Sequence, residues 1–267
     1  MSDWMTDPGD LGALVDGLPG DAAGVGRVVQ GLMIHEFWAG SYGVELSAEQ
    51  KQTVHLRKVS DLLAGIVAID GRPLDQERAP GQRMATNCRG FTVLAQTLLE
   101  RHGVEARARC GFGAYFGADM NEDHWVVEFR DGERWRLFDA QIDPMQRDTL
   151  GIDFDLTDLS RDQFIIAGDA WQRCRSGKDD PKRYGLTGVD AGWWWIAGNM
   201  VRDAAAVDGV AMLPWDCWGA MPEPEQDPDW EFFDRLAAGE IRTAVDERVR
   251  VPEKVWNALR DRTETVR

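Results

Sequence analysis

Apolar residues recur at helical spacing in two early stretches of the chain. Residues 24–37 carry one such face, and Ser47 with Gln50 has the spacing of a capping box that opens a second helix to about Ile69. Arg72-Pro73 ends that helix, because proline pushes the residue before it out of helical space. Farther on, Phe91, Leu94, Ala95, Leu98 and Leu99 mark one buried face of a third helix, with Asn87 or Thr86 as its N-cap and Gly103 at C′. The period then becomes two: Val104, Ala106, Ala108, Cys110 and Phe112 alternate with Glu105, Arg107 and Arg109. Two more strand-like runs, 124–130 and 133–139, flank Asp131-Gly132, a strong hairpin signal. With those two residues as the turn, Arg130 pairs with Glu133, Glu128 with Trp135, Val126 with Leu137 and His124 with Asp139. Further helices are expected at 161–174, 193–206, 229–238 and 252–263, the last with Pro252 in its first turn.

These periods make an α+β chain in three stretches: a helical extension over 1–80, a core over 81–145, and a mixed, mainly helical, Trp-rich extension over 146–267. The three are expected to pack as one compact unit. A chain of 267 residues can bury a core that needs neither disulfide nor structural metal. Its 43% hydrophobic and 28% charged residues exclude a disordered or fibrous protein. The net charge of −16 disfavours nucleic acid and anionic membranes as partners. The first residues have neither a basic nor an apolar targeting segment, so a cytoplasmic location is expected. Cys88, Cys110, Cys174 and Cys217 form no CxxC pair and read as reduced thiols. His35-Glu36 lacks the second histidine of a zinc helix, and neither metal nor organic cofactor is expected.

Chemistry concentrates in the middle stretch. Cys88 falls in the first turn of its helix, where the dipole and unpaired N–H groups favour a thiolate and can hold an oxyanion. The expected pairing of His124 with Asp139 supplies an imidazole with an acidic partner, so that Cys88, His124 and Asp139 have the residue types of a nucleophile, base and orienter. Gln82, six residues before Cys88, is a candidate oxyanion donor. Tyr115 and Phe116 are candidate pocket residues, Asp123 a candidate substrate contact on the strand face opposite His124, and Gln141 a candidate lining residue sharing the parity of Asp139. Arg89, Arg107 and Arg109 read either as carboxylate binders or as solvated surface. Cys110, Cys174, Cys217 and the tryptophans of 193–195 and 215–218 read as packing residues.

The segments NCRGFTVLAQTLLERHGVEARARCGFG, DHWVVEF and RWRLFDAQID together resemble the transglutaminase-like superfamily in its bacterial core form, over about 60 residues. The resemblance implies a papain-like fold, a thioester on Cys88, His124 as general base and acid, and Asp139 orienting it. The implied activity is amide hydrolysis or acyl transfer on a peptide, protein or small-molecule amide, with an amine as possible acceptor. Asp139 is followed by Ala140-Gln141 where that family commonly has Pro-Thr, and the chain lacks the length for flanking β-sandwiches. The alternatives are an acyltransferase of the arylamine N-acetyltransferase type, whose usual Arg-Gly-Gly before the cysteine is missing, and a non-catalytic binding module on the same fold.

Overall fold

A computed structural model describes residues 4–224, 226–241 and 243–266. The chain divides into two compact units, Met1–Ala108 with Val126–Leu159, and Arg109–Trp125 with Ser160–Arg267. Both mix helices with strands, so the fold class is α+β.

The first unit opens with α1 (Ala22–Leu32), capped by Asp21, whose side chain accepts from the Gly24 N–H at 2.9 Å. The helix stops short of Phe37 because Met33–His35 is a strand, β1, paired in parallel with β2 (Met84–Thr86). Every residue of both strands is buried, so one apolar run serves first a helix and then a strand. The capping box forms: Ser47 N–H donates to Gln50 Oε1 and Gln50 N–H to Ser47 Oγ. It opens only a short 3-10 helix, Gln50–His55, and not the long helix expected. The carbonyls that would continue that helix are taken, Val54 by the Asn87 amide and Leu56 and Arg57 by the Arg89 guanidinium. The chain re-enters helix as α2 (Val59–Ile69), which ends where the sequence places its end.

Helix α3 (Cys88–Arg101) packs on α1 and α2, and Phe91, Leu94 and Leu98 on it are buried, as are Val25 and Val29 on α1 and Leu62 and Ile66 on α2. Asn87 is its N-cap, and Gly103, with φ 76°, turns the chain out of it. Then come β3 (Ala106–Gly113) and β4 (Asn121–Asp131), neighbours in one sheet. In the first unit β4 pairs with β5 (Arg134–Phe138) in a register that differs from the expected one. Arg130 faces Trp135 and Glu128 faces Leu137, because Gly132, at φ 62°, and Glu133 make the turn while Asp131 pairs with Arg134. Glycine with positive φ at the first turn position belongs to the Gly-X type of tight hairpin. A two-residue shift keeps each side chain on its face but changes its partner. The ladder ends at Val127 and Phe138, so it does not set His124 opposite Asp139. An unexpected α4 (Pro144–Leu150) closes the unit, capped by Asp143 with Pro144 in the first turn.

In the second unit, β6 (Phe164–Ile166) lies antiparallel on β3 and is followed by α5 (Ala167–Arg175), so the expected helix at 161–174 is split. β7 (Tyr184–Leu186) runs parallel to the start of β4 and antiparallel to β8 (Asp190–Ala191). Helices α6 (Trp193–Val207) and, after β9 (Asp216–Cys217), α7 (Trp230–Ala237) lie where expected. Trp171, Trp193, Trp230 and Phe233 join α5, α6 and α7, with ring centroids 5.0–5.5 Å apart. The last expected helix is instead a hairpin, β10 (Lys254–Asn257) and β11 (Arg262–Thr265), in a sheet of order β11-β10-β9. Its burial has a period of two: Val255 and Asn257 are buried while Lys254 and Trp256 are exposed, and Asp261 takes a φ of 50° at the turn. Among the described residues no helix is long and apolar enough to cross a membrane.

Candidate active site

Cys88 is the first residue of α3, with 7% of its surface exposed. The Asn87 side-chain oxygen Oδ1 accepts from the Gly90 N–H at 3.2 Å, which fixes the start of the helix, while the side-chain NH2 of Asn87 donates to the Val54 carbonyl at 3.0 Å. Gly90 allows this close approach: a Cβ there would fall 2.0 Å from Thr86 Oγ1. Negative charge is favoured at such a helix start, where backbone N–H groups lack helical partners. Arg89, beside Cys88, points elsewhere. It is wholly buried, with its guanidinium on the Leu56 and Arg57 carbonyls and the Met5 sulfur, so it braces the loop that packs beside α3. Gln82 lies exposed in the short 3-10 helix Pro80–Gln82, ahead of β2.

Asp139 follows β5 and is 1% exposed. One of its oxygens accepts the backbone N–H of Gln141 at 2.9 Å and of Ile142 at 3.4 Å, so the carboxylate is clamped by its own loop. That loop is held from α1, where the Gln30 amide donates to the Ala140 and Ile142 carbonyls. Gln141 is placed beside Asp139 by this turn, beyond the end of β5, so strand parity does not apply to it, and its side chain leads into a polar chain that sequence reasoning missed. The Gln141 amide donates to Gln146, the Gln146 amide to the Tyr42 hydroxyl, and that hydroxyl to Asp143 at 2.6 Å. Burial, then the bond to Asp143, raises the Tyr42 hydroxyl far above its ordinary value, so it remains a donor. The Asp143 cap and Pro144 were the available signal for this stretch.

His124 belongs to the other unit and is 2% exposed. Phe116 packs on its imidazole at 4.8 Å, with Tyr115 at 6.1 Å and Phe164 at 6.4 Å, all three edge-on or steeply tilted. The two candidate pocket residues are thus brought together on the candidate base. Asp123, next along β4, is turned toward α6: its carboxylate accepts the Trp195 indole N–H at 2.6 Å and the Asn199 amide at 3.1 Å. Burial pushes this carboxyl above the usual range, with Arg202, those two donors and His124 opposing. Trp195 and Asn199 were missed as polar partners because the Trp193–Trp195 run reads as packing alone.

The two strand arginines are both paired with carboxylates of the chain, Arg107 while half-buried. Arg107 pairs with buried Glu128 at 2.6 Å over the Trp135 ring, and Arg109 grips Asp203 through two bonds of 2.9 and 2.8 Å. Cys110 and Cys174 are buried and Cys217 is half-buried. Burial, with Asp179 and Asp180 nearby, raises the Cys174 thiol to about 12, which leaves it inert. Among the described residues no group of three or more His, Cys, Asp and Glu is placed to hold a metal ion. The chain matches no model of a known protein family, no curated protein and no solved structure.

Proposed function

We propose that this chain is a cysteine-dependent enzyme of acyl transfer or amide hydrolysis with a papain-like, transglutaminase-like core. The placement of Cys88 at the first residue of an Asn-capped helix carries the reading, since that is where a thiolate and an oxyanion are both favoured. In the reaction, His124 takes the Cys88 proton and the thiolate attacks an amide carbonyl. The C–N bond then breaks, with the proton passing to the leaving amine, and a thioester remains on Cys88. Water or a second amine attacks that thioester, restores the thiol and releases acid or new amide. Asp139, its loop-facing oxygen clamped, orients the imidazole. The aromatic rings on His124 support the reading because they fix the imidazole plane and exclude water around it.

The test is the pH dependence of iodoacetamide alkylation, with all four cysteines followed by peptide mass spectrometry. Cys88 is expected to react well below pH 7, far ahead of Cys174, and to lose that reactivity in His124→Ala. A Cys88 that reacts no faster than Cys217 at every pH overturns the proposal.

A further inference from the structure

In the second unit, the cation of Arg202 on α6 has one donor left over. Its Nη1 donates to Asn199 Oδ1 at 3.0 Å, and the Asn199 amide donates in turn to Asp123 at 3.1 Å, so the guanidinium is anchored from one side. Its Nη2 donates to the Asp216 carbonyl at 3.2 Å and lies 4.0 Å from Cys217 Sγ. Nε, by contrast, is buried without a partner in a residue only 7% exposed. Nε–H and one Nη2–H leave the planar guanidinium along the same edge, the fork that takes two oxygens by parallel bonds. Elsewhere in this unit that edge is used in full: Arg109 turns Nε and Nη2 to Asp203, and Arg175 turns them to Asp234. At Arg202 the edge meets a backbone carbonyl and a thiol, and Nη2 alone is used. A buried donor left unpaired is costly, and such a group in a folded protein calls for a reason. The sulfur in front of it is the one thiol of the four that is half-buried and not buried. Cys217 stands on β9 opposite Trp256 of β10, and Trp256 is 44% exposed, so the two share the face of their sheet that water reaches.

We infer that Cys217 is an oxidation site, at which hydrogen peroxide converts the thiol to a sulfenic acid whose oxygen is held by the Arg202 fork. An accessible thiol beside a cation is where such oxidation concentrates. In the step, the sulfur gives an electron pair to one peroxide oxygen, the O–O bond breaks and an S–O bond forms. The other oxygen leaves as hydroxide and takes up the thiol proton, which the Trp215 carbonyl accepts at 3.7 Å in the reduced form, to depart as water. Sulfur is oxidised by two electrons and the peroxide is reduced by two. The new oxygen extends from Sγ toward the fork and gives Nε–H an acceptor, while Asn199 keeps the guanidinium from turning away. The inference is independent of Cys88 and of the proposed reaction.

The test treats the full chain briefly with hydrogen peroxide, stops the reaction with catalase and adds dimedone, which bonds to sulfenic acids, after increasing delays. Peptide mass spectrometry follows all four cysteines. Dimedone is expected on Cys217 and not on Cys110 or Cys174, whose thiols are buried. Arg202→Lys keeps the positive charge and removes the fork. It is expected to shorten the lifetime of the Cys217 sulfenic acid about tenfold, which is what one bond from a charged donor supplies. A second readout needs no change at Arg202 and decides alone if that variant does not fold. Because the added oxygen satisfies Nε–H, the change in urea midpoint on peroxide treatment is expected to be more positive in the unaltered chain than in Cys217→Ala. A Cys217 trapped no more than Cys110 overturns the inference. So does a lifetime unmoved in Arg202→Lys, or a peroxide-treated chain that loses more stability than Cys217→Ala treated alike.

Discussion

The segment around Cys88 and the strand that leads to His124 are braced in different ways. Beside α3, the cation of Arg89 is spent on neutral backbone carbonyls, Leu56 and Arg57, and the Asn87 side chain serves one N–H and one carbonyl. On β3, by contrast, Arg109 meets a full opposite charge: both oxygens of Asp203 take its N–H groups, and one also takes the Cys110 N–H at 2.9 Å. An ion pair can be removed as a pair, because its cost is the burial of two charges that cancel. The backbone carbonyls that Arg89 bonds are groups that no substitution removes. The difference teaches which brace tolerates substitution and which does not.

The largest expected effect comes from the backbone brace. Arg89→Met strips two partly buried carbonyls of charged donors, and each such bond contributes about 1.5–3 kcal/mol, for a total loss of about 4 kcal/mol. Urea denaturation checks it, and no second substitution should restore the loss. A decrease below about 1 kcal/mol would mean that water replaces the guanidinium, and the contrast between the two braces would fall.

Next comes the ion pair. Asp203→Asn keeps a carbonyl for the Cys110 N–H but removes the negative charge that faces two Arg109 N–H groups, at a cost of about 3 kcal/mol. Combining Arg109→Met with Asp203→Leu should recover half or more of that loss, because neither charge then remains inside. A double variant no more stable than Asp203→Asn would show that the Cys110 N–H bond, and not the pair, carries the stability.

The same division governs what the sequence could reveal. Local signals held wherever a residue bonds to its own neighbours: Gly103 closes α3, Ser47 and Gln50 form their box, Asn87 caps the Cys88 helix. They failed where a distant residue competes for the same groups. The helix after Gln50 breaks because Asn87 and Arg89, more than thirty residues on, take its carbonyls. At 252–263 Pro252 suggests the first turn of a helix, yet Trp256 is 44% exposed and pairing with β9 makes residues 254–257 a strand. The hairpin faces were legible from parity, but its register was not, since Gly132 takes positive φ both as the second residue of an Asp131-Gly132 turn and as the first of the Gly132-Glu133 turn that forms. Tyr115 and Phe116 were legible as neighbours of His124 in sequence; the chain from Gln141 to Asp143 spans elements with no common period and was not.

The smallest expected effect probes a half-buried carboxyl near the start of the Cys88 helix. Glu36 follows β1, and its N–H donates to the Thr86 carbonyl at 2.9 Å, two residues before Cys88. Burial lifts its carboxyl from 4.5 to about 7, with Lys51 opposing. Because the folded state holds this proton more tightly than the unfolded chain does, the contribution to stability is fully present below about 4.5 and is lost as pH rises toward 7. Glu36→Gln removes the titration while keeping a neutral side chain of the same shape. The side chain is partly open to solvent, so the full shift overstates the energy, and screening reduces the expected gain at pH 8 to about 1 kcal/mol. At pH 4 the variant and the unaltered chain should unfold at the same urea concentration, since both are then neutral at this position. Urea midpoints at pH 4, 6 and 8 decide it: a difference that does not grow with pH means that Glu36 keeps its charge, balanced by Lys51, and that the brace around Cys88 contains an ion pair after all.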